Sequence, residues 1–494
     1  MVTLKPIKIM SVRSLEPKEM WNHFADLNAI PRPSKKEERV IEFMMNFGKS
    51  LGLETLQDDI GNVIIKKAAS KGMENRKTVI LQSHLDMVHQ KNASTIFDFD
   101  SQGIEMIVEG DWVKANGTTL GADNGIGVAS IMTVLASNTI AHPPIEAMFT
   151  IDEETGMTGA IKLDPTNFSG EILLNLDTED DDELSIGCAG GIDTNTKYAY
   201  KTEEVVADSK IIEITVNGLL GGHSGMDIDK GRGNANKLMN RILYHLISMV
   251  DFQLISIDGG SLRNAIPRES VAVVAVKSSQ MALFESELNK VSEVLASEYK
   301  SVEPKLNITS AAVACDSAAV SREDALKIIN TIYSVFNGVF RMSPDFEGLV
   351  ETSSSLARVI VKDGEFITQS LQRSSVESTK DDVANTIRAS FELAGCAVVQ
   401  NGDYPGWQPN TDSEILNLMA DLYREKFNEE PNIKACHAGL ECGILLKHLP
   451  KVDMISFGPN IRAPHSPDEK VQISSVQKFW SYYLDTLQRI PQKG

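Results

Sequence analysis

The stretch "AMFTIDEETGMTG", residues 147–159, leads an apolar segment directly into three consecutive carboxylates, Asp152, Glu153 and Glu154. Like charges placed side by side repel one another, and a strand usually ends at a glycine, an asparagine or a single aspartate. The three acids therefore either form a solvated turn or face a positively charged group where a buried strand ends.

The composition limits the classes of protein to which the chain can belong. Its 494 residues allow two or three domains, and 42% hydrophobic with 23% charged residues is typical of a globular protein. The formal net charge of -20 repels nucleic acid and anionic lipid, so we expect neither as a partner. No apolar run approaches the roughly 20 residues that span a bilayer. The start, residues 1–21, lacks the apolar core of a secretory signal. Five cysteines are too few for a disulfide scaffold, which favours a cytoplasmic location.

Short apolar segments alternate with helical patterns along most of the chain. Four of these segments are predicted to be buried strands: "TVILQSHLD" (78–86), "IEAMFTIDEE" (145–154), "EILLNLDTE" (171–179) and "VDMISFGPN" (452–460). Three others are predicted to be helices: "EPKEMWNHFADLNAI" (16–30), "KKEERVIEFMMNFGKSLGL" (35–53) and "NGIGVASIMTVLASN" (124–138). Continuous apolar strands separated by helices predict an α/β fold with a mostly parallel sheet covered on both faces.

The fourth predicted strand lies far along the chain from the other three. If it joins their sheet, the intervening segment is an inserted domain. From about residue 192 the strands alternate, as in "KIIEITVNGL" (210–219), which indicates antiparallel pairing. We therefore predict a parallel-sheet domain of residues 1–191 and 404–494, interrupted by an inserted α+β domain of residues 192–403. The insertion is long enough for two α/β halves, divided near residue 305.

Potential metal ligands follow each predicted buried strand, and the carboxyl ends of parallel strands meet at one edge of a sheet. They are His84 and Asp86, Glu153 and Glu154, Asp177, His465 past a loop, and Asp123 where a helix begins. Each residue alone is weak evidence for a metal site; for example, an acid at the start of a helix is usually a cap. Together, imidazole and carboxylate groups suit zinc, with manganese or cobalt also admissible. The total charge of the acids suits two divalent ions better than one.

Several motifs resemble the metallopeptidase family M20. They are H-x-D after a strand, "GADNG" (121–125), "DEETG" (152–156), "NLDTE" (175–179) and "PHS" (464–466). Three further motifs narrow the resemblance to the aminoacyl-histidine (Xaa-His) dipeptidase branch: "RSSVES" (373–378), "YPGWQPN" (404–410) and "HAGLECG" (437–443). The resemblance covers essentially the whole chain, with the motifs in the same order.

The resemblance implies two zinc ions, with His84 and Asp177 on one, Glu154 and His465 on the other, and Asp123 between them. It implies that Asp86 hydrogen-bonds the ring of His84, which fixes the imidazole. It also implies that Glu153 is the general base for a water shared by the two ions, and later delivers the proton to the leaving amine. Asp152 is then expected to cap or brace the turn.

The resemblance also implies a set of substrate contacts in the inserted domain, which forms a lid. His223 would stabilise the oxyanion, and Asn264 and Arg373 would contact the substrate. A guanidinium suits a free C-terminal carboxylate, which restricts the substrate to unblocked dipeptides, Xaa-His and broader. His437 and Glu441 would lie near the pocket, with Glu441 receiving the substrate's amino group. A homodimer through the lid domain would place His223 either in its own chain or in the partner.

One segment departs from the branch. At "ETSSSLA" (351–357) the branch usually has an asparagine and a glycine where Ser355 and Ala357 stand. We expect a loop on the lid side here, and the departure puts substrate preference in question while leaving the metal site complete.

Other functions remain open at this point. A tripeptide aminopeptidase or an N-acyl-amino-acid amidohydrolase would carry a similar metal site. A metal-containing binding or scaffold protein without activity is disfavoured, because Glu153 is retained together with all the ligands. A structural calcium site is disfavoured by the two histidines, since calcium prefers oxygen ligands.

Overall fold

The computed structural model describes residues 11–494, so the first ten residues of the segment considered for a secretory signal lie outside the described part. The chain forms two compact units. The first extends to Gly187 and resumes at Pro409–Ala435 and Glu441–Gly494, and the second comprises Cys188–Gln408 and Cys436–Leu440. Within residues 11–494, none of the helices has the length and apolar character needed to cross a membrane.

The N-terminal part of the first unit contains the helices and strands predicted for it. The three strands predicted to be buried in this part are fully buried, and each combines apolar residues with at least one buried polar side chain; they are Val79–His84, Ile145–Thr150 and Ile172–Asn175. The elements are α1 (Lys18–Asn28), α2 (Glu38–Ser50), β1 (Glu54–Gln57), β2 (Val63–Lys67), β3 (Val79–His84), β4 (Met106–Glu109), β5 (Trp112–Ala115), α3 (Ala122–Ala136), β6 (Ile145–Thr150), α4 (Thr158–Ile161), β7 (Ile172–Asn175) and β8 (Glu183–Cys188).

The second unit is built from longer antiparallel strands and four helices among its described residues. Its elements are β9 (Gly190–Ala199), β10 (Thr202–Glu203), β11 (Ser209–Asn217), β12 (Gly222–His223), α5 (Ala235–Met249), β13 (Phe252–Gly259), β14 (Ala265–Ile266), β15 (Ser270–Lys277), α6 (Met281–Tyr299), β16 (Asn307–Ala312), β17 (Ala319–Val320), α7 (Arg322–Ser334), β18 (Gly338–Met342), β19 (Val350–Lys362), β20 (Glu365–Ser374), α8 (Glu377–Leu393) and β21 (Ala397–Tyr404).

The chain then completes the first unit. The remaining elements are α9 (Glu414–Phe427), β22 (Asn432–Cys436), α10 (Glu441–His448), β23 (Asp453–Ser456), β24 (Ile461–Arg462), β25 (Lys470–Gln472) and α11 (Ile473–Arg489). Within residues 11–494, three short 3-10 helices also occur, at Val12–Ser14, Pro165–Asn167 and Ser278–Gln280.

The main sheet of the first unit has the order β1-β2-β6-β3-β7-β23-β8-β22 among the described strands. The neighbouring strands β6, β3, β7 and β23 are parallel. The late strand β23 therefore joins the sheet of the early strands, as predicted. Strands β1, β2 and β8 pair antiparallel with their neighbours, so the sheet is mixed around a parallel centre. The predicted α/β class is confirmed.

The second unit contains one large antiparallel sheet, in the order β16-β11-β15-β13-β19-β20-β9-β21 with β18 beside β19. Strands β11 and β15 pair antiparallel along their length, as their alternating sequences predict. Strands from both sides of residue 305 belong to this one sheet, and helices α5–α8 contribute buried side chains to the core beside it. The predicted inserted α+β domain is confirmed as a fold class.

The expectation of a loop at residues 351–357 is wrong, because this segment lies inside strand β19. It pairs with β20 on one side and β18 on the other, so its serines are part of a buried ladder. Ser355 and Ala357 are each 1% exposed. The segment is rich in polar residues, and the backbone hydrogen bonds of two neighbouring strands hold it in the sheet.

A single carboxylate holds the loop that leads into helix α3. Glu469 is buried, and its Oε2 accepts hydrogen bonds from the backbone N–H groups of Leu120 (2.7 Å) and Gly121 (2.9 Å). Its Oε1 accepts from Ala122 (2.7 Å) and Asp123 (3.3 Å). The first N–H groups of a helix have no partner within the helix and carry partial positive charge. Glu469 satisfies them, and thereby fixes the backbone of Asp123.

Gly121 has a backbone φ of 69°, which favours glycine. A side chain there would also collide with the guanidinium of the buried Arg32, since its Cβ would lie 2.5 Å from Nη2. Arg32 donates to the carbonyls of Gly121 (2.6 Å), Leu85 (3.0 Å) and Asp86 (3.0 Å). The guanidinium therefore joins the loop before α3 to the end of β3.

We expect Glu469→Gln to lower the free energy of unfolding by about 1.5–3 kcal/mol, the value of hydrogen bonds to a charged group. The glutamine NH₂ group would face backbone donors, so two of the four hydrogen bonds would become donor–donor contacts. Urea denaturation followed by tryptophan fluorescence measures the change.

Glu425→Gln is the control for this prediction. Glu425 makes a two-fold ion pair with Arg489, at 2.6 and 2.9 Å, but the pair is exposed. Its loss is expected to cost less than about 1 kcal/mol. Equal losses in the two variants would contradict the role given to Glu469.

Candidate active site

The site begins with His84, the last residue of strand β3, which is only 1% exposed. One ring nitrogen, Nε2, lies 3.1 Å from Asp123 Oδ1 and 3.5 Å from Asp177 Oδ1. The other, Nδ1, lies 3.2 Å from the carbonyl oxygen of Asp86 and 3.4 Å from its carboxylate. Nε2 therefore faces the acids, while Asp86 fixes the orientation of the ring.

Asp123 lies between two histidines that are far apart in sequence. Its Oδ1 faces Nε2 of His84, and its Oδ2 lies 3.3 Å from Nε2 of His465. His465 Nε2 also lies 2.9 Å from Glu154 Oε2. The two oxygens of one carboxylate thus point to two different imidazoles, each of which has a second acid beside it. This arrangement provides two adjacent sets of ligand atoms that share Asp123.

The donor set fits a metal cation. Ligand atoms of His84, Asp123 and Glu154 all lie within 4.8 Å of one another. Glu154 Oε1 is buried and has no hydrogen-bond partner within the described part of the chain. A buried carboxylate oxygen without a partner is costly, and a bound cation removes that cost. Nitrogen and oxygen donors in this combination suit zinc and related divalent ions.

The pKa values of the histidines and acids in the site also indicate that the acids require positive charge beside them. Burial lowers the pKa of His84, but the carboxylates of Asp177 and Asp123 outweigh burial and raise it well above its usual value. Hydrogen bonds to Asp123 and Glu154 raise the pKa of His465 to about 11. Burial raises the pKa of Asp177. In the absence of a cation, protons on the two imidazoles balance the charge of the acids.

The three consecutive acids have three different environments. The carboxylate of Asp152 accepts hydrogen bonds from the hydroxyls of Thr155 and Thr158, so this residue braces the turn, as expected. Glu154 faces His465. Glu153 forms no side-chain hydrogen bond within residues 11–494, and burial, together with neighbouring acids, raises its pKa well above the usual value. The three consecutive acids, Asp152 to Glu154, therefore do not form a solvated turn.

Asp86 holds this turn as well as His84. Its buried carboxylate accepts hydrogen bonds from the backbone N–H groups of Glu153 (3.1 Å) and Glu154 (3.2 Å) and from the hydroxyl of Ser34 (2.7 Å). One side chain thus fixes the end of β3 against the turn that follows β6. In the H-x-D motif, the aspartate can therefore fix both the imidazole two residues before it and a turn that follows a neighbouring strand.

Glu441 lies inside the first unit, at the first residue of α10, and is 1% exposed. Its Oε2 accepts hydrogen bonds from Gln82 Nε2 (2.7 Å) and Thr150 Oγ1 (2.8 Å). Burial raises its pKa to about 7. The family resemblance implies that this residue receives the amino group of a substrate, and this stays a prediction.

The second unit contains its own cluster of polar side chains. Arg373, at 4% exposure, donates from Nη1 to the hydroxyl of Tyr404 (2.9 Å), and its Nη2 lies 3.4 Å from His223 Nε2. Among the described residues, no carboxylate forms an ion pair with this guanidinium; Asp193 pairs instead with Arg263 at 2.8 Å. The cluster therefore carries a buried positive charge without a counter-ion from the protein.

His223 is held so that one ring nitrogen is available. Its Nδ1 accepts hydrogen bonds from the backbone N–H groups of Gly225 (3.2 Å) and Met226 (3.0 Å). Burial, with the nearby Arg373, lowers its pKa to about 4, so the ring is neutral at pH 7. A neutral imidazole that accepts at Nδ1 carries its proton on Nε2. The protonated Nε2 of His223 is therefore the ring nitrogen that lies beside the guanidinium of Arg373.

The other predicted substrate contacts lie close by in the second unit. His437 is buried and forms a 2.7 Å hydrogen bond with the hydroxyl of Ser353. The backbone carbonyl of Asn264 accepts from the N–H of Ser224, next to His223 (2.8 Å), while the Asn264 side chain is exposed. Asn264 thus contacts the histidine loop through its backbone.

Three residues of the site were not predicted from the sequence. Arg32 and Glu469 fix the loop before Asp123, and Asn124 donates to the carboxylate of Asp177. Arg32 stands alone between two prolines, and Glu469 belongs to an acidic pair after "PHSP", a pattern typical of a surface. Only Asn124, inside the "GADNG" motif, had a local signal.

Comparison with known proteins agrees with this geometry. Residues 80–489 match the model of peptidase family M20/M25/M40. The chain is 42% identical, over 97% of its length and 99% of the relative's, to the cytosol non-specific dipeptidase of Escherichia coli (strain K12).

The comparison with solved structures gives the same family. The crystal structure of aminoacylhistidine dipeptidase from Vibrio alginolyticus superimposes with a TM-score of 0.93 at 42% identity, covering 98% of this chain and 99% of the other. The aminopeptidase PepT from Bacillus cereus shares only the fold, with a TM-score of 0.55 at 15% identity over 96% of this chain and 99% of the other. With a family match across most of its length and a relative aligned almost from end to end, the chain belongs to peptidase family M20/M25/M40.

Proposed function

We propose that the protein is a metal-dependent dipeptidase that hydrolyses unblocked dipeptides, Xaa-His and broader, in the cytoplasm. The observation that carries this proposal is Asp123, whose two oxygens face His84 and His465 and so serve two ligand sets at once. The names of the two relatives at 42% identity support the substrate class, and the name of the bacterial cytosolic relative supports the location.

We assign two divalent ions, most simply zinc, with manganese or cobalt as alternatives. His84 and Asp177 would hold one, Glu154 and His465 the other, and Asp123 both. Bound there, divalent ions lower the pKa of a water to roughly 7 and polarise a scissile carbonyl. Asp86 holds the ring of His84, and Glu469 holds the backbone of Asp123, so these two carboxylates orient two of the assigned ligands.

Glu153 is the general base of the proposed reaction. It neighbours the ligand Glu154, but its own carboxylate forms no side-chain hydrogen bond within residues 11–494. Its raised pKa, caused by burial and nearby acids, suits a group that takes a proton from water and returns it to the leaving amine. Asp86 accepts from the backbone N–H of Glu153, which fixes the direction of this side chain.

The first unit is proposed as the catalytic domain and the second as a lid that recognises the substrate. The neutral His223 and the cationic Arg373 present N–H groups 3.4 Å apart, and two donors cannot bond to each other. An anionic oxygen of the substrate gives them a common acceptor. A guanidinium without a carboxylate partner suits the free C-terminus of a dipeptide.

A homodimer through the second unit is also proposed. Strand β16 is an edge of the large sheet, most of its residues are exposed, and residues 306–315 contain no charge. Soluble proteins usually protect such an edge with charges or prolines, because an unpaired edge binds another strand. A second copy, pairing through the same edge, is the occupant that we propose.

Glu153→Gln is expected to keep its metal and lose turnover by at least about 10²–10⁴-fold, the contribution of general base catalysis. Metal content by atomic emission and kcat on a carnosine-like dipeptide measure the two effects. A panel with tripeptides and N-acyl amino acids tests the substrate class in the unsubstituted enzyme. Near-normal turnover at full metal occupancy would place the base elsewhere.

Arg373→Ala is expected to raise KM for dipeptides about ten- to a hundredfold, because one charge-assisted hydrogen bond is worth roughly 1.5–3 kcal/mol. Metal content should not change. A dipeptide amide is the matched substrate, since it lacks the carboxylate and should lose little more in the variant. Equal losses on acid and amide would remove Arg373 from carboxylate recognition.

His223→Ala is expected to lower kcat by about 10²–10³-fold, the usual effect of removing one oxyanion donor, with unchanged metal content. Mixing this variant with Glu153→Gln tests whether a second copy supplies His223. Restored activity after subunit exchange would indicate a shared site, because one hybrid site then has both groups. An unchanged kcat in His223→Ala alone would refute its catalytic role.

A further inference from the structure

The strands that carry the candidate metal ligands are connected by a row of buried polar side chains. Gln82 on β3, Asn175 on β7 and Ser456 on β23 are paired neighbours in the register of the parallel sheet. Their exposed fractions are 0%, 3% and 1%. A buried parallel strand is normally apolar, so three polar residues in register need a structural or functional reason.

The hydrogen bonds of this row run in one direction. Ser456 Oγ donates to Asn175 Oδ1, and Asn175 Nδ2 donates to Gln82 Oε1. Gln82 Nε2 then donates to Glu441 Oε2 at 2.7 Å, and Thr150 on β6 donates to the same oxygen at 2.8 Å. A carboxylate only accepts hydrogen bonds, so the row ends there and each amide has one permitted orientation.

The row lies directly beneath the candidate site. Gln82 precedes His84 by two residues, Asn175 precedes Asp177 by two, and Thr150 ends the strand that leads to Glu153. Alternate residues of a strand point to the same face, so Gln82 lies on the same face of β3 as His84. Thr150 is the register partner of His84 on the neighbouring strand β6. The hydrogen bonds of the row therefore join β3 and β6 next to His84 and the turn that carries Glu153.

We propose that Glu441 is a positioning residue for the metal centre, which accepts hydrogen bonds from Gln82 and Thr150 and so fixes the ends of β3 and β6. This inference rests on the proposed function, because it takes His84 and Glu154 as ligands. In this role Glu441 acts through its hydrogen bonds to Gln82 and Thr150 and not as a metal ligand. Outer partners of metal ligands typically contribute about 10–100-fold in metal affinity.

The test measures zinc affinity of the metal-free full-length enzyme by competition with a chelating fluorophore, together with the melting temperature. Glu441→Ala should lower zinc affinity about 10–100-fold. Glu441→Gln should retain it to within about threefold, because a carboxamide oxygen can accept both hydrogen bonds. Unchanged affinity in Glu441→Ala, or equal losses in the two variants, would overturn the proposal.

Glu146→Ala is the matched control. Glu146 is a buried carboxylate on the same strand as Thr150, and it accepts hydrogen bonds from Ser169 (2.9 Å) and Gly170 (2.9 Å). Its removal should lower the melting temperature and leave zinc affinity unchanged. A loss of zinc affinity in this control as large as that in Glu441→Ala would overturn the proposal, since any buried carboxylate would then have the same effect.

Gln82→Met keeps the test valid if Glu441→Ala does not fold. Methionine has a similar length and no amide, so the variant removes the link from Glu441 to β3 and should also lower zinc affinity. Where Glu441→Ala does fold, the double variant should lose less than the sum of the two single losses, because both changes remove the hydrogen bond between Gln82 and Glu441. Additive losses would overturn the proposal. An unsubstituted enzyme that binds no zinc would overturn the proposed function as well, which separates the two failures.

Discussion

The carboxylates at one end of the buried sheet repel one another, and the neighbouring imidazoles of the first unit offset that repulsion. Asp123, Glu154 and Asp177 meet two imidazoles there, and the raised pKa values of both histidines reflect the positive charge that the acids require. Such a cluster is stable only with protons or cations within it. The fold therefore maintains a preformed site whose natural occupant is a metal.

Buried side chains next to the candidate ligands hold those ligands in place by hydrogen bonds. Asp86 fixes His84 and the turn that carries Glu153, while Glu469 and Arg32 fix the loop that carries Asp123. Ligand directions that are fixed by neighbouring side chains reduce the entropy lost when a metal binds.

The positions of His84 and Asp177 at the ends of buried strands were predictable, because both residues follow apolar runs whose length and flanks indicate buried strands. Long-range partners were not predictable in the same way. Glu469 contacts residues more than 340 positions away, and no local pattern distinguishes it from a surface acid. The expectation of a loop around Ser355 was wrong, because this segment is a buried strand although many of its residues are polar. The family resemblance assigned roles, but it gave no account of the polar row that ends on Glu441.

The central claim is that Asp123 joins two metal sites at the end of the parallel sheet. Anomalous diffraction at the zinc edge, from crystals of the enzyme grown with zinc, tests it most directly. The account predicts two anomalous peaks about 3.5–4 Å apart. One should lie beside His84 and Asp177, and the other beside Glu154 and His465, with Asp123 between them. A single peak, or peaks away from Asp123, would contradict the account.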